Sequence, residues 1–575
     1  MATVERSGTD RAWLNGHVAR RLCVAVMALA LTAPVASATQ PGPLRPRVAV
    51  GTQQPFSSSL WGDLTADLTA LTGSGQNDPS ADPGSLYTIE NAIGARNVWK
   101  QQDAAGRQIT GRGVSVALLD SGTALVPGLD GVGKLSYGPD LSIEGNGVLT
   151  DLDTYGHGTF MAGIIAGRDS AVLNSASIGS LSPSVQLGVA PDASLLSMKL
   201  ATTDGSVDVS QVIAALNWVT EHQTAPNGSR VRVVNLSFGT DSLQSYQLDP
   251  LAAAAENAWR HGLVVVVSGG NDGQNSNRLT DPAIDPYVLA VGASDGGGTV
   301  QGWNNPTVAS FSNSGSDTRH VDLLAPGTSI VSLRDPGSFV DANHPEGRVL
   351  GDSTGRLFRG SGSSQAAAVV SGAVALLLQA YPNLTPDQVK GALVQSASYV
   401  PAAPRYAGAG ELNVANALTV AKKLATPCSG LLCNLVNGLS GVNTAVTQNY
   451  PLSTGQGSIE AARAGNDLVD ADGVPLTGEI DVQGMPWDPK NWWAKASSLT
   501  SWNAGSWLGV TWTGSGWLPP SGGSQTSRWS TSRWSTSRWS DAGWDTSRWS
   551  TSRWSTSRWS TSRWSTSRWS DVGWE

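Results

Sequence analysis

The period of the apolar positions changes along this chain, and the changes divide it. Up to about residue 85 the pattern is polar and rich in Pro, Gly, Ser and Asp, apart from an apolar run at 22–31 and an apolar patch at 60–71. From Gly113 onward short β-branched runs appear at 114–119, 195–200, 231–236, 263–267 and 287–291. They are continuous rather than alternating, as strands covered on both faces are. Between them lie stretches of helical period such as 209–219 and 251–260, the latter stopped by Gly262. Such alternation predicts an α/β fold with a mainly parallel central sheet between layers of helix. The helix expected after Ser364 runs through Ala366-Ala367-Ala368-Val369-Val370 to Leu376-Leu377-Leu378 and is apolar nearly all round, so it belongs in the core. It should stop at Tyr381, because Pro382 disfavours helix in the residue before it, and Thr385-Pro386-Asp387 reads as the cap and first turn of the next helix.

Composition sharpens the ends. Arg20 and Arg21 precede the run at 22–31, and Ala36-Ser37-Ala38 supplies small residues for cleavage, so 1–38 reads as an export signal. Residues 39–85 read as a leader, linker or short propeptide, 86–423 as a domain long enough to bury a substantial core, 424–486 as a linker or extension, and 487–575 as a Trp-rich tail. Seventeen of the 23 tryptophans follow residue 486, and from Trp529 to Trp574 one recurs every five residues, mostly as Thr-Ser-Arg-Trp-Ser. Five steps scatter the rings around a helix and alternate them across a strand, so neither element gathers one buried stripe, and an extended, low-complexity tail is expected. Formal charge is −8, but residues 526–575 carry eight Arg and four acids. A mildly acidic body disfavours a nucleic-acid partner. Cys23 leaves with the signal, and Cys428 and Cys433 remain as candidates for a small disulfide-closed loop; two thiols without a nearby histidine make no metal site.

Three residues stand where nucleophilic chemistry needs them. Asp120 closes the run 114–119 in Leu118-Leu119-Asp120-Ser121-Gly122, His157 opens a helical stretch in Gly156-His157-Gly158-Thr159, and Ser364 sits in Gly360-Ser361-Gly362-Ser363-Ser364-Gln365-Ala366. Asp, His, Ser is one of the chain orders in which a serine triad occurs. A serine hydroxyl needs a base, imidazole suits that task because its ordinary pKa is about 6.5, and a carboxylate fixes the imidazole tautomer. Ser268-Gly269-Gly270-Asn271 follows another strand, and an amide on such a turn can donate to an oxyanion together with the Ser364 N–H. Each residue has a duller reading: Asp120 as a turn cap, Ser364 as an N-cap, Asn271 as a tolerant left-handed residue. His222, His261 and His320 read as ordinary groups at element ends.

In these blocks the chain resembles the subtilisin-like serine proteases. The family's Asp-Thr/Ser-Gly block stands as Asp120-Ser121-Gly122, its His-Gly-Thr block as His157-Gly158-Thr159, its oxyanion block as Gly270-Asn271, and its nucleophile block as Gly362-Ser363-Ser364-Gln365-Ala366. Connecting stretches match too, among them Val234-Asn235-Leu236-Ser237-Phe238-Gly239 and Ala325-Pro326-Gly327, so the likeness covers about 88–423. It implies a subtilisin-like fold and a secreted or surface-associated endopeptidase acting on polypeptides, without a catalytic cofactor. It also implies an S1 pocket lined by Ser237-Phe238-Gly239 and Ser268-Gly269-Gly270. Structural calcium is a further family expectation; Asp140, Asp151 and Asp153 are acids in reach, though their spacing fits no known loop and reads as solvated turn. The chain departs from the pattern after the nucleophile, where Gln365-Ala366-Ala367-Ala368-Val369 replaces Met-Ala-x-Pro-His, and at Phe160, where the family has a second histidine. The leader is also short beside an inhibitory prodomain. A Glu-based serine carboxyl peptidase is disfavoured by Gly156-His157-Gly158 and Asn271. The other class of function is a protein that grips cell-wall polymer or a membrane surface through its Arg-Trp tail, over a degenerate protease domain.

Overall fold

The computed structural model describes residues 78–144, 149–169, 178–426, 442–466, 468–469, 475–511, 529–530 and 538–539. The export signal, most of the leader, Cys428, Cys433 and most of the pentapeptide repeats lie outside the described residues.

Every β-branched run predicted as a strand is one. The strands β1 (Val114–Asp120), β2 (Leu135–Tyr137), β3 (Ser194–Lys199), β4 (Arg230–Leu236), β5 (Val264–Ser268), β6 (Leu289–Asp295), β7 (Thr307–Val308) and β8 (Leu323–Pro326) form one sheet. Its order is β2-β3-β1-β4-β5-β6-β7, with β8 also paired to β6, and all pairings are parallel except β6 with β7. Burial explains the composition: all seven residues of β1 and all five of β5 are buried, because helices cover both faces. A separate antiparallel pair, β9 (Ile330–Leu333) with β10 (Leu357–Ser361), leads the chain into the nucleophile turn.

The helices that matter for the site are α1 (Leu86–Ala92), α2 (Ala95–Trp99), α3 (His157–Ala166), α4 (Val209–Glu221), α5 (Pro250–Arg260), α6 (Ser363–Ala380), α7 (Pro386–Ser396) and α8 (Val414–Ala425). As its composition demands, α6 is buried almost end to end, packed on β4, β5, β6 and α3. It ends at Ala380, and α7 starts with a capping box between Thr385 and Gln388, as the Pro-flanked sequence predicts. Helix α6 is long and apolar enough to cross a membrane, yet it lies inside the protein.

The stretch after 441 departs from its sequence reading as linker and tail. The described residues between 442 and 511 lie along the domain, including α9 (Ile459–Arg463), α10 (Pro489–Ser497) and the small strands β11 (Leu468–Val469), β12 (Pro475–Leu476), β13 (Trp502–Asn503), β14 (Ser506–Trp507) and β15 (Val510–Thr511). Trp487, Trp492, Trp502 and Trp507 are buried in the same apolar core as the central sheet. Their indole N–H groups explain why tryptophan serves here: Trp492 and Trp507 both donate to Asn217 Oδ1 (3.0 and 3.3 Å), and Trp502 donates to Ala214 O (3.0 Å), all on α4. Composition at 487 therefore marks a change in residue usage, not the end of packed structure. Two tail strands, β16 (Trp529–Ser530) and β17 (Arg538–Trp539), pair antiparallel with β11 and β10 respectively.

Candidate active site

Parallel β1, β4 and β5 are neighbours, so their carboxyl ends meet along one edge of the sheet. Asp120 is the last residue of β1, Ser237-Phe238-Gly239 follows β4, and Ser268 ends β5 ahead of Gly269, Gly270 and Asn271. Helix α3 starts at His157 and packs against β1 and α6, whose first turn holds Ser363 and Ser364. The topology thus gathers groups that are 37 to more than 200 residues apart in the chain.

His157 Nδ1 lies 2.8 Å from Asp120 Oδ1, with both side chains buried. The same carboxyl oxygen accepts from Ser121 N (2.8 Å). Burial raises the Asp120 carboxyl above the usual carboxylate range, and the charge and hydrogen bond of His157 work against that rise. A carboxylate on Nδ1 in this way fixes the tautomer and orientation of an imidazole.

Asp153 is what fixes the histidine's helix. Far from a solvated turn, it is buried, and its Oδ1 accepts from Ser121 Oγ and Gly156 N (2.7 Å each) while Oδ2 accepts from Thr159 N (2.7 Å). Ser121 Oγ in turn accepts from Gly158 N (3.0 Å), and Thr159 Oγ1 accepts from Ala124 N (2.9 Å). A carboxylate satisfying the orphan N–H groups of a helix start also suits the positive end of the dipole. The sequence signal for this role was faint: an acid four residues before the histidine.

Asn271 Oδ1 accepts from Ser363 N (2.8 Å), which turns the other end of the amide, Nδ2, away from that contact. Its backbone is not left-handed; Gly270 before it is, with φ 113°, so the glycine makes the turn and the asparagine is used for its amide. Ser364 is not the helix cap either: that position is Gly362, and Ser364 lies inside the first turn of α6. Ser237 and Phe238 are buried, and the glycines beside them are needed for space. A Cβ on Gly239 would strike Thr280, one on Gly270 would strike Asn313, and one on Gly269 would press on Val321. Thr280 and Asn313, which the sequence reading did not single out, therefore stand against the two segments expected to line S1.

The acids weighed for calcium, Asp140, Asp151 and Asp153, lie beside a buried lysine. Lys199, buried on β3, donates to Leu152 O (2.5 Å) and Thr154 Oγ1 (2.9 Å) and pairs with Glu144 Oε2 at 3.1 Å. Asp140 accepts from Ser142 N and Asp151 N (2.9 Å each). An ammonium stands among the oxygens a divalent cation would need, so this donor set does not fit calcium. Among the described residues no group of three or more His, Cys, Asp or Glu side chains is arranged to hold a metal.

Residues 111–416 match the model of the subtilase family, Peptidase S8. Serine protease AprX of Bacillus subtilis (strain 168) is 34% identical over 339 residues, covering 58% of this chain and 71% of that protein. Subtilisin DY of Bacillus licheniformis is 30% identical over 309 residues, 53% of this chain and 90% of that protein. Subtilisin Savinase of Lederbergia lenta is 31% identical over 310 residues, 54% of this chain and 92% of that protein. A solved structure of a cold adapted subtilisin-like serine proteinase aligns with 24% identity and a TM-score of 0.41, over 58% of this chain and 98% of that one.

Proposed function

We propose, from the premise that the chain belongs to the subtilase family and is a serine endopeptidase, that Asp120, His157 and Ser364 form its triad and Asn271 its oxyanion donor. The reading is carried by the buried His157–Asp120 hydrogen bond at the head of α3, beside the helix whose first turn bears Ser364. Ser364 Oγ attacks the scissile carbonyl while His157 Nε2 takes its proton. Asp120 accepts from Nδ1–H and offsets the imidazolium charge. The tetrahedral oxyanion is met by Asn271 Nδ2 and the Ser364 backbone N–H, at the positive end of α6. His157 then protonates the leaving amine, and water hydrolyses the acyl-enzyme by the reverse sequence.

The substrate is a polypeptide whose P1 side chain lies between Ser237-Phe238-Gly239 and Ser268-Gly269-Gly270, closed by Thr280 and Asn313. The uncharged lining of these six positions suits an apolar P1 group. The charged n-region and apolar run before Ala38 support export, and the catalytic unit spans 86–423 with the described residues between 442 and 511 strapped on it. Ser364→Ala tests the assignment: kcat on a chromogenic peptide should fall by about 10⁶ with the far-ultraviolet circular dichroism unchanged. A folded variant that still turns over at the parent rate refutes it.

A further inference from the structure

Both segments proposed to line S1 are tied to a part of the chain outside the family's matched span of 111–416. Thr240 follows Ser237-Phe238-Gly239 directly and is buried. Its hydroxyl donates to Ala462 O (2.7 Å) on α9, 222 residues away. That carbonyl stands in the last turn of α9, where a helix carbonyl has no partner within the helix and must be satisfied from outside. The Thr240 main chain pairs both ways with Asp281: its N–H donates to Asp281 O (3.0 Å), and its O accepts from Asp281 N (2.8 Å). Next to Asp281, Thr280 N donates to Gly269 O (3.2 Å) and Thr280 Oγ1 to Ser268 O (3.4 Å). A connected run of hydrogen bonds therefore leads from α9 through Thr240 and Thr280-Asp281 to both walls.

The contact at Ala462 is one rung of several. Ser458 N donates to Gln244 Oε1 (2.9 Å) while Gln244 Nε2 donates to Ser458 O (2.7 Å), a reciprocal amide pair. Farther on, Gly457 N donates to Leu248 O (2.7 Å) and Thr454 N to Gln247 O (2.8 Å). At the other end the buried Arg463 pairs with Asp208 at the head of α4. Segment 240–248 leaves the end of a strand, where it has no sheet ladder of its own, and the extension supplies the missing partners. We propose that residues 454–463 are a specificity-determining brace of the protease, and that Thr240 is the positioning residue through which they hold the two S1 walls at a fixed spacing. The inference rests on the S1 reading given above. A P1 side chain long enough to reach both walls feels that spacing, whereas a P1 alanine does not. Wall contacts made alike in ground and transition states appear in KM, with kcat little changed.

The test uses the full chain, with enzyme concentration set by fluorophosphonate titration so that only competent protein is counted, and two peptides that differ only in Phe or Ala at P1. Thr240→Val removes the hydroxyl and keeps the shape; Thr240→Ser keeps the hydroxyl. The Phe:Ala ratio of kcat/KM should fall ~5-fold in Thr240→Val, the order of one net hydrogen bond, through KM, and return to the parent's in Thr240→Ser. Gln244→Ala, which breaks the neighbouring rung, should move the ratio the same way, and it decides by that ratio if Thr240→Val yields no competent protein. A ratio equal to the parent's in these variants overturns the proposal. So does an equal loss on both peptides, which is what a general loosening of the fold gives. Gly239→Ala separates the two readings, because its Cβ strikes Thr280 and must alter the ratio if this segment lines S1. A change there with none in Thr240→Val removes the brace alone; no change in Gly239→Ala removes the S1 reading and the brace with it.

Discussion

Gly158 has no room for a side chain: a Cβ would run into the carbonyl oxygen of Gly122 and press on the Asp120 side chain. The distance between the acid and the histidine is therefore set by backbone contact, not by side-chain reach. Gly158→Ala must push α3 away from the end of β1, and a shift of about 1 Å in a catalytic group costs about 10²-fold; kcat/KM on a peptide substrate should fall by about that factor or more while KM changes little. Asp120→Asn keeps the shape but offers the imidazole the wrong partner, and kcat should drop about 10⁴-fold at neutral pH. Equal activity of either variant with the parent would mean that His157 is not the base. The duller readings of these residues dissolve for local reasons. Asp120 does accept from Ser121 N as a turn cap would, but the same oxygen also holds His157.

At the scale of elements, the point of interest is the head of α4. Asp208 caps it in a box with Gln211, and the fully buried guanidinium of Arg463, from α9 in the C-terminal extension, pairs with Asp208 at 2.7 Å. Burial alone would raise the Asp208 carboxyl; the Arg463 charge and hydrogen bonds outweigh it and hold the group below the usual carboxylate range. Removing only the arginine strands a buried carboxylate. Arg463→Ala should lower stability by about 3–5 kcal/mol, whereas Asp208→Asn with Arg463→Met should recover much of the loss, because a buried pair replaced as a unit costs little. Urea unfolding of both in a Ser364→Ala background, which prevents self-digestion, measures the difference; an Arg463→Ala midpoint equal to the parent's would show that the extension is not fastened there.

For the whole molecule, the distribution of buried acids sets the pH response. Burial lifts Glu411 to about 8, with one oxygen accepting from Ser294 Oγ (2.9 Å) and the other without a partner among the described residues. Burial and the Glu256 charge lift Asp285 to about 8 as well. In the unfolded chain both ionise near the ordinary carboxylate values, so the folded state holds their protons more tightly. Their contribution to stability is complete below about pH 4 and is lost as pH rises through about 8. Glu411→Gln removes that dependence and keeps the bond to Ser294. Its Tm should match the parent's at pH 4 and exceed it by a few degrees at pH 9, roughly 2–4 °C per kcal/mol for a domain of 150–250 residues; a gap that does not open with pH contradicts the sign. Strands, central helix and site blocks were legible because each is written locally, as in the continuous run Val264-Val265-Val266-Val267 or the glycine-flanked His157. The roles of Asp153, Lys199 and Asn217 were not, because each meets a partner that lies far off in the chain, at separations of 32, 47 and 275 residues respectively.

Local periodicity determined, from the sequence alone, that this chain is α/β and where its strands and buried helix lie, and motif chemistry picked out the acid, imidazole, hydroxyl and amide proposed above to share one reaction. Only the tertiary structure decided that Asp153 anchors the histidine's helix, that the Lys199 ammonium is buried beside Glu144, and that four tryptophans of the extension are core. The reason is physical: periodicity reports which face of an element is covered, whereas the identity of the covering group depends on which distant segments the sheet order brings together.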